Sequence, residues 1–217
     1  MTEETLFTKR LIIVGAGGLA RMIYSWLPDF SGYQEAWEPA GFLSDRLDDL
    51  QGYDYELPIL GTIGDYQPEP NDQLVMAIAE PRSKLSIGES LERRGAKFTS
   101  LIHPTAIIGK NVKFGRGCVI CPRAVLTCDI RMGSFVLVNL AVTIGHDVRI
   151  GDGCTINAHA DVTGFTELGI GVFLGSHAVV TPSVKAKDYT KIGAGSVAIR
   201  TVPPGISIFG VPGKRIN

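Results

Sequence analysis

From Val142 to Gly164 the chain reads VTIGHDVRIGDGCTINAHADVTG. Ile144, Ile150, Ile156 and Val162 fall six residues apart, and small or medium residues (Val142, Cys154, Ala160) stand two places before three of them. The same beat runs back through Val138, Met132, Leu126, Ile120, Phe114 and Ile108. It runs forward through Leu168, Leu174, Val180, Ala186, Ile192 and Ala198, and no polar residue breaks it. The next residue is often Gly or Asn (Gly109, Gly115, Gly133, Asn139, Gly145, Gly151, Asn157, Gly169, Gly175, Gly193) and reads as a turn-former. A hexapeptide period is the signature of a parallel β-helix, a triangular solenoid with three hexads to a coil. Each coil buries its apolar beat against its neighbours, so the array acts as one unit. The expected solenoid spans residues 102–205, with 206–217 as a C-terminal tail.

The region before it, residues 9–101, follows a different pattern. KRLIIV at Lys9–Val14 reads as a buried strand, running into Gly15-Ala16-Gly17-Gly18 and a helix with Leu19, Met22, Ile23 and Trp26 at helical spacing. Pro28 ends that helix. Strands are expected at residues 40–44, 59–61 and 74–79, and a helix over residues 82–94 closed by Gly95. Alternating strand and helix over some ninety residues makes about half of a dinucleotide-binding domain. Gly15-x-Gly17-x-x-Ala20 fits the fingerprint in which glycines and a helix N-terminus receive phosphate. Asp45, at the end of the second strand, stands where a ribose or base could be read. A mononucleotide or nucleotide-sugar pocket is the economical reading; a turn shaped only by strand–helix packing is the alternative. Leu101-Ile102-His103-Pro104 is the hinge, with Pro104 imposing an extended entry.

At 217 residues and net charge −1, the chain has no global field for nucleic acid or anionic membrane. It has no apolar run long enough to span a bilayer. The polar segment Met1–Thr8 is unlike a signal peptide, so the cytoplasm is expected. Cys118 and Cys154 fall on the inward small position of the repeat and, with Cys121 and Cys128, read as reduced structural thiols rather than zinc ligands. Lys185, Lys187, Lys191, Arg200, Lys214 and Arg215 make the C-terminal region basic, either a solvated surface or a seat for a phosphate-rich ligand.

Polar residues at the corners of so regular a repeat are the candidates for chemistry. His146-Asp147 follows Gly145 at one of them. A neighbouring carboxylate favours the imidazolium and holds one tautomer, which suits a general base. His159 and His177, eighteen residues apart, should stack on successive coils. With His146 they raise a carbonic-anhydrase-type zinc reading, although that family spaces its ligands differently.

The half-Rossmann turn, LIHPTA at Leu101–Ala106, GHD-x-x-IGDG at Gly145–Gly153 and GVPGKRI at Gly210–Ile216 together resemble the bacterial nucleotide-sugar N-acetyltransferases. These include the bacillosamine- and perosamine-pathway enzymes, with the sialic-acid O-acetyltransferases as relatives. The resemblance implies a left-handed parallel β-helix, a homotrimer, acetyl-CoA between adjacent prisms and a nucleotide-linked 4-amino-4,6-dideoxy sugar on the N-terminal domain, in surface-glycan synthesis. It places the catalytic histidine and its acid on His146 and Asp147, and a residue near the sugar amine on Asn139. Nucleotide-sugar contacts fall on Gly17, Gly18, Ser44, Asp45, Arg46, Ala79 and Arg82. Acetyl-CoA contacts fall on Ser176 and Ala194, on Thr155 where the family often has a second histidine, and on the basic tail at Lys214. Gly213 replaces a usual alanine. No metal, nucleic acid or membrane insertion is implied. An O-acetyltransferase and a non-catalytic nucleotide-binding solenoid are the rival readings.

Overall fold

The computed structural model describes residues 9–30 and 33–216, so the reading made on Met1–Thr8 lies outside the described residues. The chain divides into two compact units. One takes in the chain through Ile78 together with Ile87–Thr99; the other takes Ala79–Ser86 and everything from Ser100.

The first unit holds four parallel strands, β1 (Lys9–Val14), β2 (Trp37–Leu43), β3 (Ile59–Gly61) and β4 (Asp72–Met76), in the order β3-β2-β1-β4. Leu11 to Val14 are buried in succession, as a central strand covered on both faces requires. Helix α1 (Gly18–Trp26) follows β1 directly and turns Ala20 and Ile23 inward. It then tightens into a single 3₁₀ turn, Leu27–Asp29, at Pro28. β2 starts three residues earlier than its composition suggests, because pairing of Trp37 with Lys9 draws Trp37–Pro39 into the sheet. Helix α2 (Pro81–Arg93) ends at Gly95, whose φ of +92° suits glycine.

The second unit is a parallel β-solenoid. Two-residue rungs stack at a register of eighteen, as in Leu137↔Thr155↔Phe173 on one face, Thr143↔Asp161↔Val179 on the next and Arg149↔Glu167↔Lys185 on the third. In each rung the second residue, on the hexapeptide beat, points inward. Ile120, Leu126, Val138, Ile144, Ile156, Val162, Leu174, Val180 and Ile192 are fully buried and form one continuous column of side chains. Ile108 and Phe114 are less buried, because they sit in the first coil and have neighbours on one side only. The last residues form a final rung, Ser207–Phe209, and an antiparallel strand, Lys214–Arg215, added to the first face.

The glycines after the beat serve a different purpose from the one their position suggests. The left-handed φ values fall three residues after the beat, at Asp129, Ala141, Asp147, His159, Phe165 and His177 among others. Gly145 has no such φ; a Cβ there would meet the Gly164 nitrogen of the next coil at 2.7 Å. Close coil-to-coil approach, not the turn itself, requires glycine at this place.

Candidate active site

His146 and Asp147 occupy the corner between the second and third faces. Asp147 takes the left-handed conformation at φ 59°, which swings its carboxylate back beside the preceding residue. His146 Nδ1 and Asp147 Oδ2 are 2.9 Å apart. A carboxylate only accepts, so Nδ1 carries the hydrogen, and in the neutral ring Nε2 is the nitrogen with the lone pair. The two side chains are 53% and 46% exposed, so the imidazole can be reached from solvent. Phe165 stands edge-on to the imidazole with ring centroids 5.0 Å apart. Gly164 lies beneath the ring: a Cβ there would come within 2.8 Å of both Cε1 and Nε2. The carboxylate and the packing beneath it thus fix the ring's orientation. Sequence reading missed Gly164 and Phe165, although both lie one repeat, eighteen or nineteen residues, beyond His146.

Asn139, Ser176 and Ala194 stand elsewhere. They line the corner between the first and second faces, Ser176 and Ala194 on successive coils at the same edge. The strand Thr143–Ile144 separates Asn139 from His146 within one coil. Asn139 Oδ1 accepts from Leu140 N at 2.7 Å. His159 and His177 share this edge, stacked at 4.8 Å and 8°. His146 is therefore on a different edge from the stacked pair. Among the described residues no group of three or more His, Cys, Asp or Glu could hold a metal ion.

Thr155 is fully buried. Its hydroxyl donates to Ala79 O at 2.6 Å and accepts from Lys84 Nζ at 2.7 Å, while Lys84 also donates to Cys154 O at 2.9 Å. The hydroxyl is thus committed inside the unit and is not presented at the surface as a cofactor contact. Burial pushes the Lys84 amine down to about 7, against weaker opposing pulls from Cys154, Cys118 and Glu80. Arg82 lies over the Tyr189 ring at 3.7 Å, and the Glu80 carboxylate accepts from Ser83 N at 2.7 Å. Burial also pushes the thiols up, Cys118 to about 11 and Cys121 and Cys154 to about 12. These are poor nucleophiles.

Ala198, Ile199, Arg200, Ile206, Pro212 and Lys214 are among the residues lining a cavity of about 430 Å³ near the end of the solenoid. Its floor is apolar and its cations, Arg200, Lys214 and Arg215, belong to the basic region read from sequence. In the α/β unit a cavity of about 340 Å³ is lined by Ala16, Gly17, Arg21, Arg46, Asp49 and Tyr53 among others. A Cβ on Gly15 would crowd Ala77 O at 3.1 Å, whereas one on Gly17 or Gly18 would meet nothing within 4 Å. Packing thus requires the first glycine alone, and the other two leave open backbone at the start of α1. Ser44 and Arg46 are both held by Asp49, whose carboxyl is kept low first by the Ser44 hydroxyl and then by Arg46. Asp45 caps the Ile63 amide at 2.9 Å. Arg21 lies 3.9 Å above the Tyr53 ring. Neither Arg21, Asp49 nor Tyr53 carries a sequence signal of its own.

A parallel α/β unit with open glycines at a helix N-terminus, joined to a hexapeptide solenoid with a His–Asp pair on one corner, defines the structural class. The acetyltransferase domain of PglB from Neisseria gonorrhoeae has this fold, with a TM-score of 0.87 at 25% identity over 96% of this chain and all of that one. The same domain in complex with acetyl coenzyme A matches at 0.84 and 26% identity, with the same shares of both chains. PerB from Caulobacter crescentus, in complex with CoA and GDP-perosamine, matches at 0.85 and 24% identity over 95% of this chain and 97% of its own. No protein-family model and no curated protein sequence matches the chain.

Proposed function

We propose that this protein is an acetyl-CoA-dependent N-acetyltransferase acting on the C4 amine of a nucleotide-linked 4-amino-4,6-dideoxy sugar for a surface glycan. The observation that carries the reading is the His146–Asp147 pair, its Nδ1–H bonded to carboxylate and its Nε2 open at an exposed solenoid corner. Full-length likeness to an acetyltransferase domain solved with acetyl coenzyme A supports it.

In this mechanism the amine nitrogen attacks the thioester carbonyl while His146 Nε2 takes the amine's proton, and Asp147 stabilises the imidazolium that results. The C–N bond forms, the C–S bond breaks, and the proton passes from His146 to the departing CoA thiolate. A placed base contributes about 10² to 10⁴ in rate. The buried, high-pKa thiols of Cys118, Cys121 and Cys154 argue against an acyl-cysteine intermediate. The C-terminal cavity, with Lys214, Arg200 and Arg215 around an apolar floor, suits the adenine and phosphates of CoA. We assign the α/β unit as the half-Rossmann domain that holds the nucleotide, with Gly17 and Gly18 at its phosphates and Ser44, Asp45 and Arg46 beside it.

His146 lies on one corner of the prism, and Asn139, Ser176 and Ala194 lie on another. A second copy of the chain, with its Asn139 edge facing this chain's His146 edge, would complete the site, which fits a homotrimer with acetyl-CoA between prisms. A cytoplasmic setting accords with both substrates.

The test is thiol release from acetyl-CoA against a panel of UDP-, dTDP- and GDP-linked 4-amino-4,6-dideoxy sugars, with His146→Asn alongside. Turnover on one member, reduced at least about 10²-fold in the variant, supports the reading. CoA binding without turnover on any amine overturns it in favour of a hydroxyl acceptor.

A further inference from the structure

Lys84 is the most deeply buried cationic side chain among the described residues, at 1% exposure, and the acetyl-transfer chemistry makes no use of it. It does not serve to satisfy groups that would otherwise be orphaned. Cys154 O already accepts from Leu137 N at 2.9 Å, and the Thr155 hydroxyl already has Ala79 O to donate to. Replacing the amine by an apolar chain of similar length would leave neither without a partner. Among the described residues no carboxylate bonds the amine, so its burial costs stability rather than adding it.

Its effect is on geometry. By donating to Thr155 Oγ, the amine takes the hydroxyl's acceptor side and leaves its single hydrogen to point at Ala79 O. That chain of bonds ties the carbonyl of Ala79 to the strand Thr155–Ile156 on the first face of the solenoid. Apolar contacts seat the rest of the segment: Leu85 fills the space over Gly153 and Pro81 approaches Gly171, where a Cβ would clash or crowd. Arg82, stacked on Tyr189, completes the seating.

We propose that Lys84 is a positioning residue for the acceptor substrate: through Thr155 it fixes Ala79–Arg82 against the first face of the solenoid. The inference rests on the acetyltransferase reading, under which Ala79 and Arg82 meet the sugar nucleotide. Lys84 sets how well the acceptor binds and leaves acetyl-CoA binding and the chemical step alone.

Full-length Lys84→Met and Thr155→Val are compared with wild type by steady-state kinetics for both substrates and by amide deuterium exchange over residues 79–86. The expected result in both variants is a KM for the nucleotide sugar raised by about tenfold, the size of one hydrogen bond. kcat and the KM for acetyl-CoA stay within about twofold of wild type, a split on the scale below one such bond, and exchange over the segment quickens. An unchanged sugar KM overturns the proposal, as does unchanged exchange or a joint fall of kcat and both affinities. Failure of the reading itself is seen separately, in a wild-type chain that turns over no nucleotide-linked amino sugar, and it takes the proposal with it.

Discussion

Gly164 supports the imidazole of His146 from the next coil, so closely that a Cβ would sit 2.8 Å from Cε1 and Nε2. Gly164→Ala therefore displaces the ring while leaving the buried column intact. A shift of about 1 Å in a catalytic group costs about 10² in rate. We expect kcat to fall by about that factor with the thermal midpoint little changed, measured by thiol release and by thermal melting.

Asp147→Asn keeps a side chain of the same shape beside Nδ1 but removes the charge that stabilises an imidazolium, and its amide can favour the wrong tautomer. kcat is expected to fall by about 10²-fold with little change in either KM, the pattern of an interaction made in the transition state. An unchanged kcat would remove Asp147 from the mechanism.

Lys84 gives stability a pH dependence of known sign. Its folded-state amine titrates at about 7, whereas an unfolded lysine titrates near 10.4. Between those values the unfolded chain holds a proton at this site that the folded chain does not, so the site's contribution to stability rises with pH. Below about 7 the full cost of burying the cation is present. Urea unfolding of wild type and Lys84→Met from pH 6 to 10 should show the wild type gaining on the variant as pH rises. A constant difference would contradict the depressed amine.

The thiols divide by burial. Cys118, Cys121 and Cys154 are buried and pushed up by that burial, while Cys128 is partly exposed and raised chiefly by its hydrogen bond to Asp129. Ellman's reagent should find one slowly reacting thiol in the native protein, with the other three appearing on unfolding.

Ile156 is fully buried between Val138 and Leu174 of the coils on either side. Ile156→Ala should cost about 3 kcal/mol, as loss of a large core side chain does where neighbours cannot collapse. Equilibrium denaturation measures it.

The solenoid was legible because its rule is local. A side chain every sixth residue must be apolar when three hexads close a coil, and Ile144, Ile150, Ile156 and Val162 announce this without reference to anything distant. The strand–glycine–helix opening of the α/β unit was legible for the same reason, within about two residues at most ends. Two strands were exceptions: β4 stops at Met76, three residues before the expected end, and the extension of β2 to Trp37 depends on pairing with Lys9, which no local pattern records. The His146–Asp147 pair could be found because its partners are adjacent in sequence.

What the sequence determined by itself was periodicity, and with it the coil, the inward column and the corner on which His146 stands. Tertiary structure alone decided which polar groups meet across many residues. Lys84 reached Thr155 over a separation of 71 residues, and that contact took the Thr155 hydroxyl into the interior. It likewise decided that the glycines after each beat answer to the backbone of the next coil, and that Asn139 and His146 stand on separate edges. The reason is physical: a repeat writes each position's direction in its own six residues, whereas a buried amine, a crowded Cβ and a shared edge exist only when distant segments are brought into contact.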